Sequence, residues 1–210
     1  VPKSPTKRRP LTRAALTESA WALFTEKGFH ATSISDIVER AGLTRGAFYS
    51  NYRDKEELFL ALYDIHTDRL LADLDTAAVE PEPGEHPIVQ LRERVAGRTP
   101  QERQWFLVSM EFTLHAARNP AVAEQLAVHE DRLTQGLTDV LTRTLARAGA
   151  QPVVPAGDLA RLLIALFEGL TAHQLIHGPT RGLEHLTPHL VHALTTPAPP
   201  GTLRPGPDHA

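Results

Sequence analysis

Between Thr44 and Lys55 the chain reads TRGAFYSNYRDK, and few stretches of it concentrate so much polar chemistry. Arg45 can present a forked donor to a guanine edge or a phosphate. Gly46 and Ala47 beside it carry almost no side chain, so a partner surface can come close. A glycine within a helix costs about 1 kcal/mol relative to alanine, so Gly46 calls for a packing or approach reason. Tyr49 and Tyr52, three apart, lie on neighbouring helical rows, so that one can pack inward while the other offers a hydroxyl. Lys55 stands where a helix begins and backbone N–H groups already favour an anion. Thr32 is placed to do the same one helix earlier. Phe48 is the core anchor.

These residues need short helices at fixed angles. Leu16, Ala20, Leu23 and Phe24 share one helical face, and Gly28 follows as a stop. A second helix starts at Thr32 or Ser33, carries Ile34, Ile37 and Val38, and ends at Gly42. In "AGLT", Gly42 can adopt positive φ, Leu43 fills the angle between helices, and Thr44 caps the third helix. Asp54 opens a fourth with Glu57 in capping-box register, running to about Ala78. No strand alternation is visible, and the expected fold is all-α.

Charge divides the chain in the same place. The overall formal charge is -3. Residues 1–55 hold 10 Lys+Arg against 5 Asp+Glu, and the remainder 12 against 20. A basic third on an acidic body fits one end that meets a polyanion. The arm with Lys3, Lys7, Arg8 and Arg9 either reaches a neighbouring backbone or groove, or is simply solvated. With no cysteine, disulfide and thiolate chemistry are excluded. No stretch approaches the ~20 uncharged apolar residues of a membrane span, and no signal peptide follows the basic start. A cytoplasmic protein without a membrane partner is the expectation.

The segment ATSISDIVERAGLTRGAFYSNYRDKEEL, with Ala22, Leu23, Phe24, Gly28 and Phe29 before it, resembles the TetR family of transcriptional regulators. The resemblance is strong over residues 11–60 and compatible beyond in length and helical content. It implies a three-helix helix-turn-helix DNA-binding domain (11–55) followed by a helical ligand-binding and dimerisation domain (56–196). A disordered basic arm (1–10) and a disordered Pro-rich tail (197–210) flank them. It implies a homodimer on a palindromic double-stranded operator, released by a small-molecule effector. Carried over by position, Thr32, Thr44, Tyr49, Tyr52 and Lys55 hold phosphates, and Arg45, Gly46 and Ala47 face bases. Asn51-Tyr52 stands where the family often has His-Phe, and Arg53-Asp54 where it often has a small residue and Ser. Asn51 can still donate to a phosphate.

After the linker at 79–87 a helix is expected near 88–96, then the strongly apolar segment 105–118 and a long helix beyond Pro120. Trp105, Phe106, Met110, Phe112 and Phe167 are pocket wall or core. Glu111 and His115, at i and i+4, either anchor a ligand or pair with each other or Arg118. The last helices, 157–176 and 182–195, carry small residues (Ala160, Ala165, Gly169, Ala172) that suit close packing, and the family resemblance makes them the dimer interface. Late histidines (His173, His177, His185, His189, His192) have zinc-compatible spacings, which keeps a metal-responsive regulator as the alternative. No acidic or cysteine cluster completes a site, so neither a metal nor a cofactor is expected. No G-x-S-x-G, H-E-x-x-H or phosphate loop appears, and an enzyme is not expected.

Overall fold

The computed structural model describes residues 8–78, 88, 99–178 and 187–198. Lys3 and Lys7, the linker, the helix expected near 88–96 apart from Ile88, His185 and the tail beyond 198 lie outside the described residues.

Eight helices and one small ladder are described: α1 (Arg8–Lys27), α2 (Ile34–Arg40), α3 (Arg45–Tyr49), α4 (Lys55–Ala77), α5 (Pro100–Ala117), α6 (Pro120–Arg147), β1 (Ala150–Pro152), α7 (Ala156–His177), α8 (Thr187–Ala193) and β2 (Thr195–Pro197). The chain forms two compact units. The first joins residues 1–69 with 97–131, so it extends well past residue 55 and takes in α5. The second joins residues 70–96 with 132–210.

In the first unit the sequence periodicity becomes burial. Leu16, Ala20, Leu23 and Phe24 of α1 are all buried. Gly28, at φ +85, ends α1, its N–H donating to the Phe24 carbonyl at 2.8 Å. The expected arm is shortened, because α1 begins at Arg8. Ser33 caps α2 in a reciprocal box with Asp36. Gly42 at φ +64 turns the chain, and the Leu43 N–H donates to the Val38 carbonyl at 2.8 Å. Asp54 accepts from the Glu57 N–H at 2.7 Å, but Glu57 returns to the Arg53 N–H at 2.6 Å, so the expected box is displaced by one residue. Thr99, Pro100 and Glu102 start α5 earlier than its apolar run, with a complete capping box. Phe59 stacks on Phe112 with centroids 4.0 Å apart, and Trp105 stacks on Phe59 at 5.7 Å. Burying each such ring contributes about 1.5–3 kcal/mol.

The second unit packs Leu159, Ala160 and Leu163 of α7 with Val140, Leu141 and Leu145 of α6, and with Ile88 and Val191. Gly136 packs close there, since a Cβ would lie 2.3 Å from Leu71 Cδ1 and the leucine would have to shift. One feature departs from the sequence reading. β1 and β2 pair antiparallel, Gln151 opposite Thr196, although neither is long enough to show alternation. The ladder draws Pro197 and, through the Ala198 N–H on the Gly149 carbonyl at 2.7 Å, the first residues of the expected tail into the unit. By length and composition alone α7 would pass as a membrane span, but it carries Asp158, Arg161 and Glu168, so it is not an uncharged apolar stretch of ~20 residues.

Candidate nucleic-acid interface

The helix α3 is five residues long, too short to stand alone, so its placement depends on caps and an anchor. Thr44 Oγ1 accepts from the Ala47 N–H at 3.2 Å. Phe48 is fully buried. Tyr52, just beyond the helix, is also buried, beneath the Arg13 guanidinium at 4.7 Å from its ring. Burial pushes the Tyr52 phenol up, with Arg13 opposing it. Tyr49 takes the other course and is 52% exposed. The pair therefore divides as its spacing allows: Tyr52 inward, Tyr49 outward.

Arg45 is exposed. Its Nη1 donates to Ser35 Oγ at 3.1 Å and its Nη2 to the Tyr49 hydroxyl at 3.3 Å. These neutral partners orient the guanidinium without cancelling its charge. Gly46 is exposed, and a Cβ there would meet nothing closer than Thr44 Oγ1 at 3.7 Å. Ala47 is half-buried, and Ser50 Oγ donates to the Gly46 carbonyl at 2.8 Å. The outward face is thus Ser35, Thr44, Arg45, Gly46, Tyr49 and Ser50. Sequence reasoning missed Ser35, whose only signal was its place on the short helix preceding the turn.

Four residues expected at phosphates face inward instead. Thr32 is buried, its hydroxyl donating to the Gly28 carbonyl at 2.8 Å and lying 3.3 Å from that of Leu23. Tyr52 is core, as above. Asn51 Nδ2 donates to the Ala47 carbonyl at 2.8 Å, while its Oδ1 is buried without a partner. Lys55 Nζ donates to the carbonyls of Phe29 and Thr32 at 2.7 and 2.8 Å and sits 4.2 Å from the Phe29 ring centroid. Burial lowers its pKa, with Glu56 opposing. Tyr52 is inward because its ring packs in the core; for Thr32, Asn51 and Lys55 the common reason is that turns and helix ends leave backbone carbonyls unpaired, and nearby polar side chains satisfy them first.

The expected pocket residues do not share one site. Trp105 stacks on His66 at 4.4 Å and on Phe59 within the first core. Glu111 accepts from the Phe29 N–H at 2.8 Å, and His115 Nε2 lies 3.2 Å from Glu56 Oε1. Neither pairs with the other or with Arg118, because partners distant in sequence come closer. Phe106 and Met110 are half-buried, and Phe167 packs in the second unit. Leu107 and Leu114 leave an exposed apolar strip on α5. A cavity of about 400 Å³ in the first unit is lined by other residues, among them Arg13, Leu60, Asp64 and His129. Of the late histidines, His173 and His177 bring their rings within 4.5 Å. Among the described residues no three metal-ligating side chains gather.

Known proteins place this architecture. The profile of the bacterial regulatory proteins of the tetR family matches residues 16–62, and that of the BetI-type transcriptional repressor C-terminal region matches residues 88–196. The HTH-type regulator YfiR of Bacillus subtilis is 25% identical over 83% of this chain and 85% of its own. The HTH-type repressor AcnR of Corynebacterium diphtheriae is 24% identical over 83% and 86%. GusR of Salmonella enterica, a solved structure, is 26% identical, covering 76% of this chain and 81% of its own at a TM-score of 0.59. A transcriptional regulator from Rhodococcus sp. Rha1 shares the fold at 22% identity and a TM-score of 0.63, covering 87% and 95%. With both halves matched and an outward cation beside an open glycine on α3, the chain belongs to the TetR family of transcriptional regulators and is a DNA-binding regulator, not an enzyme.

Proposed function

We propose that the protein is a dimeric repressor whose two α3 helices read the halves of a palindromic operator, and that a small molecule releases it. The observation that carries the reading is Gly46. Nothing in the fold needs a glycine there, because a Cβ would make only an ordinary contact with Thr44 Oγ1 at 3.7 Å. A surface that must come within contact of α3 does need it. Arg45, exposed and oriented by Ser35 and Tyr49, is the base reader, with Thr44, Tyr49 and Ala47 beside it. Repression is the direction named for AcnR and for the matched C-terminal type. Such a protein works in the cytoplasm, where its DNA is.

The dimer would use α7 with α8. Leu162 and Ile176 are exposed by 42% and 77%, and Gly169 between them has nothing within 4 Å of an added Cβ. Small residues flanked by leucines suit a second copy of the same helix. The effector would meet apolar wall on α5, where Leu107 and Leu114 are open. Among the described residues the metal-responsive alternative finds support in the paired rings of His173 and His177, and calorimetry with Zn²⁺ tests it: no heat above buffer ends it.

The test is selection of duplexes from a random pool by the purified protein. Expected is a two-fold symmetric consensus whose affinity falls steeply with salt, as phosphate contacts release counterions. A pool that stays unenriched would overturn the reading.

A further inference from the structure

The turn between α1 and α2 is gripped from three sides, and none of the three contacts belongs to the outward face. From α5, Glu111 turns a carboxylate oxygen to the Phe29 N–H at 2.8 Å, across 82 positions of sequence. Gly28 makes that approach possible, because a Cβ there would lie 2.8 Å from both carboxylate oxygens. From α4, Lys55 binds the carbonyls of Phe29 and Thr32. Within the turn, Thr32 closes onto the Gly28 carbonyl at 2.8 Å. Both backbone groups of Phe29 are therefore held by side chains of other helices. Its ring is buried edge-on to Phe112 of α5, with centroids 5.0 Å apart.

The turn leads at once to the Ser33 cap, and α2 carries Ser35, which orients Arg45. A partly buried donor that loses its acceptor costs more than the bond contributed when made. A shift of α5 must then either carry the turn with it or strip the Phe29 N–H of its partner.

We infer that Glu111 is a positioning residue: its carboxylate pins the α1–α2 turn to α5 and so sets the placement of α2 and α3. The inference rests on α3 being the DNA-reading helix. It also gives Gly28, Thr32 and Lys55 a common task, which the expected phosphate roles of Thr32 and Lys55 did not.

The test compares three substitutions in the full chain. Glu111→Leu keeps bulk and removes the acceptor, Glu111→Asp keeps charge but falls one methylene short, and Glu111→Gln retains an acceptor oxygen. Hydrogen exchange at the Phe29 N–H should rise about tenfold in the Leu and Asp variants, with the amides of 35–49 following, and stay within about twofold in Gln. Affinity for a duplex selected by the wild-type protein should fall about tenfold in the first two and hold in the third. Wild-type exchange and affinity in both Leu and Asp variants overturn the inference. So does a rise spread equally over Phe59 and Phe112, which would mark general loosening. If Glu111→Leu does not fold, Glu111→Asp decides. If the wild-type protein selects no duplex, the DNA reading falls, and the exchange measurement alone still decides whether Glu111 pins the turn.

Discussion

Gly46 of α3 and Gly169 of α7 occupy the same kind of space and face different chemistry. Around Gly169 an added Cβ would find nothing within 4 Å, and around Gly46 only Thr44 Oγ1 at 3.7 Å. Beside Gly46 stand Arg45, Tyr49 and Ser50, all polar at the tip and exposed. Beside Gly169 stand Leu162, Leu166 and Ile176, exposed or half-buried and apolar. Gly28 and Gly136 show the opposite condition, each with a side chain of its own unit within 2.8 Å or less of an added Cβ. The fold explains those two. Under the proposed function the other two meet a partner, a polyanion at one and an apolar helix at the other.

The comparison breaks most readily at α7. Gly169→Glu would bury an unpaired carboxylate in the proposed dimer interface, at a cost of several kcal/mol. Sedimentation should show a monomer at concentrations where the wild-type protein is a dimer. The single chain has room for the side chain, so its secondary structure should be unchanged by circular dichroism. A dimer of wild-type strength would detach α7 from the interface.

At α3 the corresponding change is Gly46→Val. Its side chain enters the space a base edge would use, so the base contacts go together, each worth about 1–3 kcal/mol. Anisotropy with a selected duplex should show a loss of about a hundredfold, with the melting temperature nearly unaltered. Tight binding by the valine variant would mean that nothing approaches α3 closely. Arg45→Ala is the milder cut, expected to cost about 1–3 kcal/mol and to relax the consensus at one position of each half-site. A consensus unchanged by that substitution would remove Arg45 as the base reader.

The two regions also differed in how much of them was legible. Local signals fixed most of the first: Gly42 at its turn, Thr44 as a cap, Phe48 as anchor, Arg45 and Gly46 outward. These depend on neighbours within four residues, which a sequence displays. Lys55, Thr32 and Asn51 read as phosphate holders, yet their side chains meet backbone carbonyls of the turns and helix ends, and which side chain reaches those depends on tertiary packing. Glu111 and His115 show the same limit. Their i, i+4 spacing pointed to each other, yet Phe29 and Glu56, 82 and 59 positions away, won. In the second unit the apolar spacing named the faces of α6 and α7, but three-residue strands carry no period, so the β1–β2 ladder was invisible.

The smallest effect sharpens the comparison from behind the recognition face. Asp36 closes the cap of α2 by accepting from the Ser33 N–H at 2.9 Å and the Ser33 hydroxyl at 2.8 Å. Those bonds, the backbone one first, hold its carboxyl below its usual value of 3.8. A carboxyl whose pKa is lower folded than unfolded contributes stability above the unfolded value, and loses it as pH falls through the folded one. The gap in melting temperature between wild type and Asp36→Ala should therefore be constant from neutral pH down to about 4 and close at lower pH. Because α2 carries Ser35, the same acid range should loosen the hold on Arg45, while α7, with no such cap, gains nothing from the carboxylate. A gap that persists unchanged to pH 2 would mean that the Asp36 side chain supports the cap without its charge.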